Sequence, residues 1–192
     1  MTRFLSLLAA MLLALPLSAA ELGDDGLHKT DWMRETFKDL REDLQEANAE
    51  DKRLMLMVEQ RGCIYCTRMH EQVFPRPEID SYIREHFFVV QINLHGDTEV
   101  TDFDGEALSE KAATRKWGLL FTPSILFLPE EVPDGQSADE AAVALMPGAF
   151  EAATTLDMLT WVNEKRYALD TDEDFQRYHA RRIRERASAN AD

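Results

Sequence analysis

The chain has 192 residues, 45% hydrophobic and 30% charged, with only 8 Gly and 7 Pro. That is the make-up of one globular domain with short appendages, and it excludes collagen-like and low-complexity chains. Lys and Arg number 21 against 36 Asp and Glu, a formal charge of −15 that repels phosphate backbones and argues against a nucleic-acid partner.

Arg3, the apolar run Phe4 to Leu17 and the small residues Ser18-Ala19-Ala20 read as a secretory signal peptide, residues 1–20, cleaved after Ala20. The run is short of the roughly 20 apolar residues of a spanning helix, and no later segment is long and apolar enough. The mature chain is therefore expected to be exported and not membrane-embedded.

Residues 21–50 are predicted to form a helical extension. Trp32, Met33, Phe37, Leu40 and Leu44 recur at helical spacing within an amphipathic stretch from 31 to 48. Arg53 to Glu59 reads as a strand whose Met55 and Met57 are buried. Gly62 breaks it, and a helix runs from Cys63 to about Phe74, ended by Pro75 and Pro77. Glu78 to His86 adds a further turn or two. Phe87 to Leu94 is a second buried strand. His95 to Gly105 reads as a loop, whose Asp97, Glu99, Asp102 and Asp104 lack the EF-hand ligand spacing.

Glu106 to Trp117 is predicted helical, with Trp117 either packing at the helix end or rimming a groove. Leu119 to Leu128 is a third strand containing Pro123, which donates no ladder hydrogen bond and so demands a special reason. A turn from Pro129 to Asp139 leads to a short strand, Ala141 to Met146, and then to a helix from Glu151 to Tyr167. Residues 169–192 form a charged tail of helical character. Its Arg181, Arg182, Arg184 and Arg186 read as a solvated face opposite Asp170, Asp172, Glu173 and Asp174. Strands alternating with helices imply an α/β fold. Its mixed central sheet has four to five strands covered on both faces, the last two antiparallel.

Cys63 and Cys66 are the chain's 2 cysteines. A bridge between them persists in an oxidising compartment but closes too small a loop to stabilise much, so chemistry is the better reading. At a helix start, free backbone N–H groups and the helix dipole favour the Cys63 thiolate. Cys66, one turn on, is placed to resolve a mixed disulfide. A zinc centre needs two further strong ligands, His70 being the nearest candidate. Haem attachment is excluded because Thr67 follows Cys66.

Strand, CxxC and helix, with Thr122-Pro123 in a later strand, resemble the thioredoxin superfamily over about Leu54 to Lys165. The runs MLMVEQRGCIYCTRMHEQVF and GLLFTPSILFL are similar to periplasmic SoxW-type thioredoxins. This resemblance implies a thioredoxin-like domain at 51–168, with a cis peptide bond before Pro123. It also implies a thiol:disulfide oxidoreductase in which Cys63 attacks, Cys66 resolves, and Thr122, Pro123, Ile64 and Tyr65 hold the substrate backbone. Disulfide-bearing periplasmic clients, a link to sulfur oxidation and a membrane electron donor of the CcdA or SoxV kind follow from it too. No metal or cofactor beyond the cysteine pair is expected, and the chain is expected to be a monomer.

The chain departs from ordinary thioredoxin in two places. Met57 stands where a buried Asp lies six residues before the first cysteine, and Ile64-Tyr65 replace Gly-Pro. Tyr65 resembles the Tyr beside the second cysteine of periplasmic disulfide isomerases. Glu59 and His70 are the candidates to tune the thiols, although the plainer reading leaves Glu59 solvated and His70 exposed or partly packed. Two alternatives stay open: an oxidase or isomerase using the same site, and a copper or zinc chaperone using Cys63, Cys66 and His70.

Overall fold

A computed structural model describes residues 21–169 and 171–189; the expected signal peptide lies outside the described residues. A small hairpin of β1 (Glu21–Leu22) and β2 (His28–Lys29) comes first, then β3 (Met33–Arg34), α1 (Leu40–Ala49) and β4 (Arg53–Glu59). The helix α2 (Ile64–Arg68) continues as a π-helical turn, Met69–Val73, before α3 (Pro77–His86) and β5 (Phe87–Asn93). Next come β6 (Glu99–Thr101), β7 (Ala107–Ser109), α4 (Glu110–Lys116) and β8 (Ser124–Phe127). The described chain closes with α5 (Ala138–Ala141), β9 (Ala144–Pro147), α6 (Ala152–Asn163) and α7 (Phe175–Ala189).

Five strands form a mixed sheet in the order β3-β5-β4-β8-β9, the architecture expected from the sequence. β3 and β4 run parallel to β5, while β8 runs antiparallel to its neighbours β4 and β9. Because side chains alternate along a strand, β4 and β5 each supply both faces. Leu54, Leu56 and Val58 with Phe88, Val90 and Ile92 pack under α1, α4 and α5. Met55 and Met57 with Phe87 and Val89 pack under the segment after Cys63, α3 and α6. The same alternation puts Glu59 and Gln91 on that second face, at the end of the sheet nearest the cysteines. Among the described residues no helix is long and apolar enough to cross a membrane.

The N-terminal extension is not a single helix, contrary to the periodicity of residues 31–48. Met33 and Arg34 pair with Val89 and Val90 at the sheet edge. Lys38 then adopts φ 59°, and the Asp39 carboxylate caps the amides of Arg41 and Glu42 at 3.0 and 3.2 Å, so helix begins only at Leu40. Phe37 is 96% exposed: the apolar spacing joined residues with unrelated surroundings.

Residues expected as loop and early helix instead pair as the β6–β7 hairpin, and the Ser109 hydroxyl caps α4 by accepting from Ala112 N–H at 3.3 Å. Asp102 before that hairpin's turn is buried. It accepts from Trp117 Nε1 at 2.8 Å and Ala138 N–H at 2.9 Å, so Trp117 belongs to the core rather than to a groove rim.

The charged tail is a helix that packs on α6. Tyr178 is completely buried, and buried Asp157 of α6 accepts two 2.8 Å hydrogen bonds from Arg186. Arg181 pairs with Glu173 on the solvated side, as its sequence suggests, whereas Arg186 turns inward.

Candidate functional site

Beyond the end of β4, Gly62 takes φ +73°, a conformation that strains any residue with a Cβ, and turns the chain so that Cys63 caps α2. Cys63 and Cys66 are disulfide-bonded, with Cα atoms 5.2 Å apart. The Cys63 sulfur accepts from the Cys66 N–H at 3.0 Å and from the Thr122 hydroxyl at 3.3 Å. Such donors favour a thiolate over a thiol once the bond is reduced. Cys63 is 5% exposed and Cys66 0%, so of the pair only Cys63 meets solvent.

Thr122 and Pro123 are brought against Cys63, and the peptide bond between them is cis. β8 begins one residue later. Ile64 and Tyr65 project outward on α2, 73% and 57% exposed. Leu120 and Phe121 stand equally exposed just before Thr122. These last two escaped sequence reasoning, because an apolar run ahead of a strand looks like more strand. Their signal was Pro123 itself, which shortens β8 and leaves them in the loop.

The expectation that Glu59 is solvated and His70 exposed or partly packed is overturned. Both are buried, and His70 Nε2 lies 2.9 Å from Glu59 Oε1. The register carries the explanation: Glu59 faces inward like Met55 and Met57, and the π-helical turn swings His70 beneath the sheet end to meet it. Gln91 Nε2 donates to the other oxygen, Glu59 Oε2, at 2.7 Å, and to the His28 carbonyl at 2.8 Å.

His28 was missed by the sequence reading. Its ring stacks on that of His70, centroids 4.6 Å apart, and its Nε2 sits 3.1 Å from Thr67 Oγ1. Burial, and then the neighbouring His70, hold the His28 imidazole below its usual pKa. Trp32 also lies parallel to the His70 ring, with Phe74 edge-on. Gln91, set among apolar residues in the run FFVVQINL, was the one hint of a polar interior.

The family described as Thioredoxin-like domain matches residues 40–160. No curated protein is similar enough to match. Among solved structures, a thioredoxin-fold protein from Helicobacter pylori is 21% identical with a TM-score of 0.54, covering 72% of this chain and 86% of its own. A thioredoxin from Thermus thermophilus is 19% identical with a TM-score of 0.50, covering 65% and 83% respectively. Both likenesses concern the fold. The family match, in contrast, spans most of the sheet, the cysteine pair and Thr122-Pro123, and the chain belongs to the thioredoxin-like family.

Proposed function

We propose that the protein is an exported thiol:disulfide oxidoreductase that reduces disulfides of periplasmic client proteins. The observation that carries this reading is Cys63. It is the more exposed member of a paired CxxC, faced by two hydrogen-bond donors and rimmed by Ile64, Tyr65, Leu120 and Phe121. The Cys63 thiolate attacks one sulfur of a client disulfide and expels the other as a thiolate, leaving a mixed disulfide. The Cys66 thiolate then attacks the Cys63 sulfur and releases the client's second thiol. Two electrons pass to the client, and the Cys63–Cys66 disulfide is regenerated.

In this reading Thr122 and Pro123 present backbone beside Cys63, against which an extended client segment pairs. The four apolar side chains receive its flanking residues. Glu59 and His70 act as positioning residues, tuning the pair through the helix that carries Cys66. The SoxW-like active-site segment supports a place in sulfur oxidation, with a membrane donor of the CcdA or SoxV kind resupplying electrons to a monomer whose redox group is its cysteine pair.

The test is the reduction potential of the pair, read by equilibration against glutathione and dithiothreitol. Reducing thioredoxins lie near about −270 mV and strong oxidants near about −120 mV. A value below roughly −200 mV agrees with a reductase; one above roughly −150 mV reverses the direction of electron flow. Cys66→Ser should accumulate clients as mixed disulfides at Cys63, and Cys63→Ser should reduce none. Full activity in Cys63→Ser would remove the assignment.

A further inference from the structure

Behind the cysteine-bearing helix, three metal-ligating side chains converge from separate parts of the fold: His28 on β2, Glu59 at the end of β4 and His70 on the π-helical turn. All three are buried, and one ligand atom from each lies within 4.8 Å of the others. From this convergence we propose that His28, Glu59 and His70 form a binding site for a divalent cation of the zinc class, distinct from the CxxC.

The hydrogen bonds identify which lone pairs are free. Thr67 Oγ1 donates to the Cys63 carbonyl at 3.2 Å, so in the resting arrangement it accepts from His28 Nε2. A neutral His28 then keeps an unprotonated Nδ1. His70 Nε2 and Glu59 Oε1 share a proton across 2.9 Å, and an ion would take that proton's place between them, leaving His70 protonated on Nδ1. Both Nδ1 atoms are buried with no hydrogen-bond partner among the described residues. An unpaired buried polar atom is costly, and a cation would use the lone pair of His28 Nδ1.

Charge points the same way. Glu59 is 0% exposed, and among the described residues its one ion-pair partner is His70, with no Lys or Arg against it. A divalent ion would set two positive charges against this buried carboxylate. Two imidazole nitrogens and one carboxylate oxygen suit a borderline ion such as Zn²⁺, with a fourth position left for water. Gln91 holds Glu59 Oε2 and so fixes the carboxylate with Oε1 toward His70, as outer hydrogen bonds do at metal sites. The nearest cleft reaches the site at His70, between Trp32 and Phe74.

The two imidazoles now lie face to face, 10° from parallel, so their in-plane lone pairs do not yet meet. Loading therefore requires one ring to turn. His28, held by a hydroxyl rather than a carboxylate, is the freer. The bound ion would fasten the N-terminal hairpin, the central strand and the cysteine-bearing helix at one point.

The experiment uses the full chain in its oxidised state, so that the Cys63–Cys66 disulfide removes both thiolates as ligands. After chelator treatment, Zn²⁺ is titrated by calorimetry, and Co²⁺ is added as a spectroscopic probe. The expected result is one equivalent of Zn²⁺ bound and a raised Tm. Co²⁺ should give a four-coordinate absorption spectrum without thiolate charge-transfer bands. Affinity should fall at least tenfold in His28→Ala and in Glu59→Gln. Should His28→Ala fold poorly, His28→Gln, which can still bond to Thr67, serves in its place. No binding by the oxidised chain, or binding unchanged in these variants, overturns the site. Neither readout involves disulfide reduction, so the outcome is independent of the proposed activity.

Discussion

The two sides of the cysteine-bearing helix invert the usual distribution of side chains. Its outer side shows solvent Ile64 and Tyr65, joined by Leu120 and Phe121, while its inner side hides Glu59, His70, His28 and Gln91. Water disfavours the first set and a low-dielectric interior disfavours the second, so each arrangement costs stability unless something compensates. Inside, the compensation is visible, since Glu59 accepts from His70 and Gln91. Outside it is absent from the isolated chain, which is what a surface waiting for a partner looks like. Under the proposed function the contrast separates two tasks: the outer side would recognise clients, and the inner side hold the helix in place.

The sharpest way to break this contrast is Glu59→Ala. It leaves the Gln91 amide and the His70 ring unpaired beside a new cavity, and should cost about 3 kcal/mol, or about 9 °C in thermal midpoint. A loss below about 1 kcal/mol would mean that the buried cluster is not holding the helix.

The outer side should answer in the opposite manner. Joint Leu120→Ser and Phe121→Ser replacement should leave the midpoint within about 1 °C. It should raise KM for a protein disulfide about tenfold, equivalent to about 1.4 kcal/mol of binding. If the midpoint fell with KM unchanged, these residues would be packing residues after all.

Between the two sides lies Thr122, whose hydroxyl donates to the Cys63 sulfur. Thr122→Val should slow attack about fivefold at neutral pH, the worth of one hydrogen bond. The deficit should shrink as pH rises, because the lost donor matters least when the thiol is fully ionised. Stopped-flow reduction of a small disulfide across pH would read this directly.

Asp43 on α1 provides a comparison away from the cysteines. Burial pushes its carboxyl up to about 7, the Thr36 hydroxyl opposing and nearby Glu46, Asp39 and Glu42 reinforcing. The native state thus keeps a proton that the unfolded chain has lost. Stability should fall as pH rises from about 4 to about 7 and level off above that. Asp43→Asn should flatten this slope and raise the midpoint at pH 8 by about 2 °C. A wild-type midpoint that rose over the same interval would contradict it.

Much of this molecule is legible in its sequence, and what is not has a common cause. β4, β5, the helix after Cys63 and the antiparallel final strands are all announced by local patterns: apolar runs of strand length, Gly62, the Pro75 and Pro77 stop. The hidden parts depend on pairings distant along the chain. Met33 becomes strand only because Val89 offers an edge, and Glu59, on the face of Met55 and Met57, can stay buried there because His70 and Gln91 pair with it. A charged residue at the end of an apolar run reads as the place where the strand meets water. Nothing between residues 53 and 62 says otherwise. For the same reason Cys63, Cys66, Ile64, Tyr65, Thr122 and Pro123 could be gathered from motif and resemblance, while His28 could not.

Tyr178 carries a consequence for the order in which the fold can be completed. It is fully buried beneath α6 and ringed by the guanidinium groups of Arg166, Arg181 and Arg182, yet it lies late in a chain made from its N-terminus. Until synthesis has passed residue 178, the outer surface of α6 has no cover, and Asp157 lacks Arg186. The sheet and its cysteines can assemble earlier, but this layer closes only once residue 186 has been delivered. A polypeptide with this arrangement stays open to chaperones and proteases until then, and a cut anywhere between α6 and α7 undoes the closure.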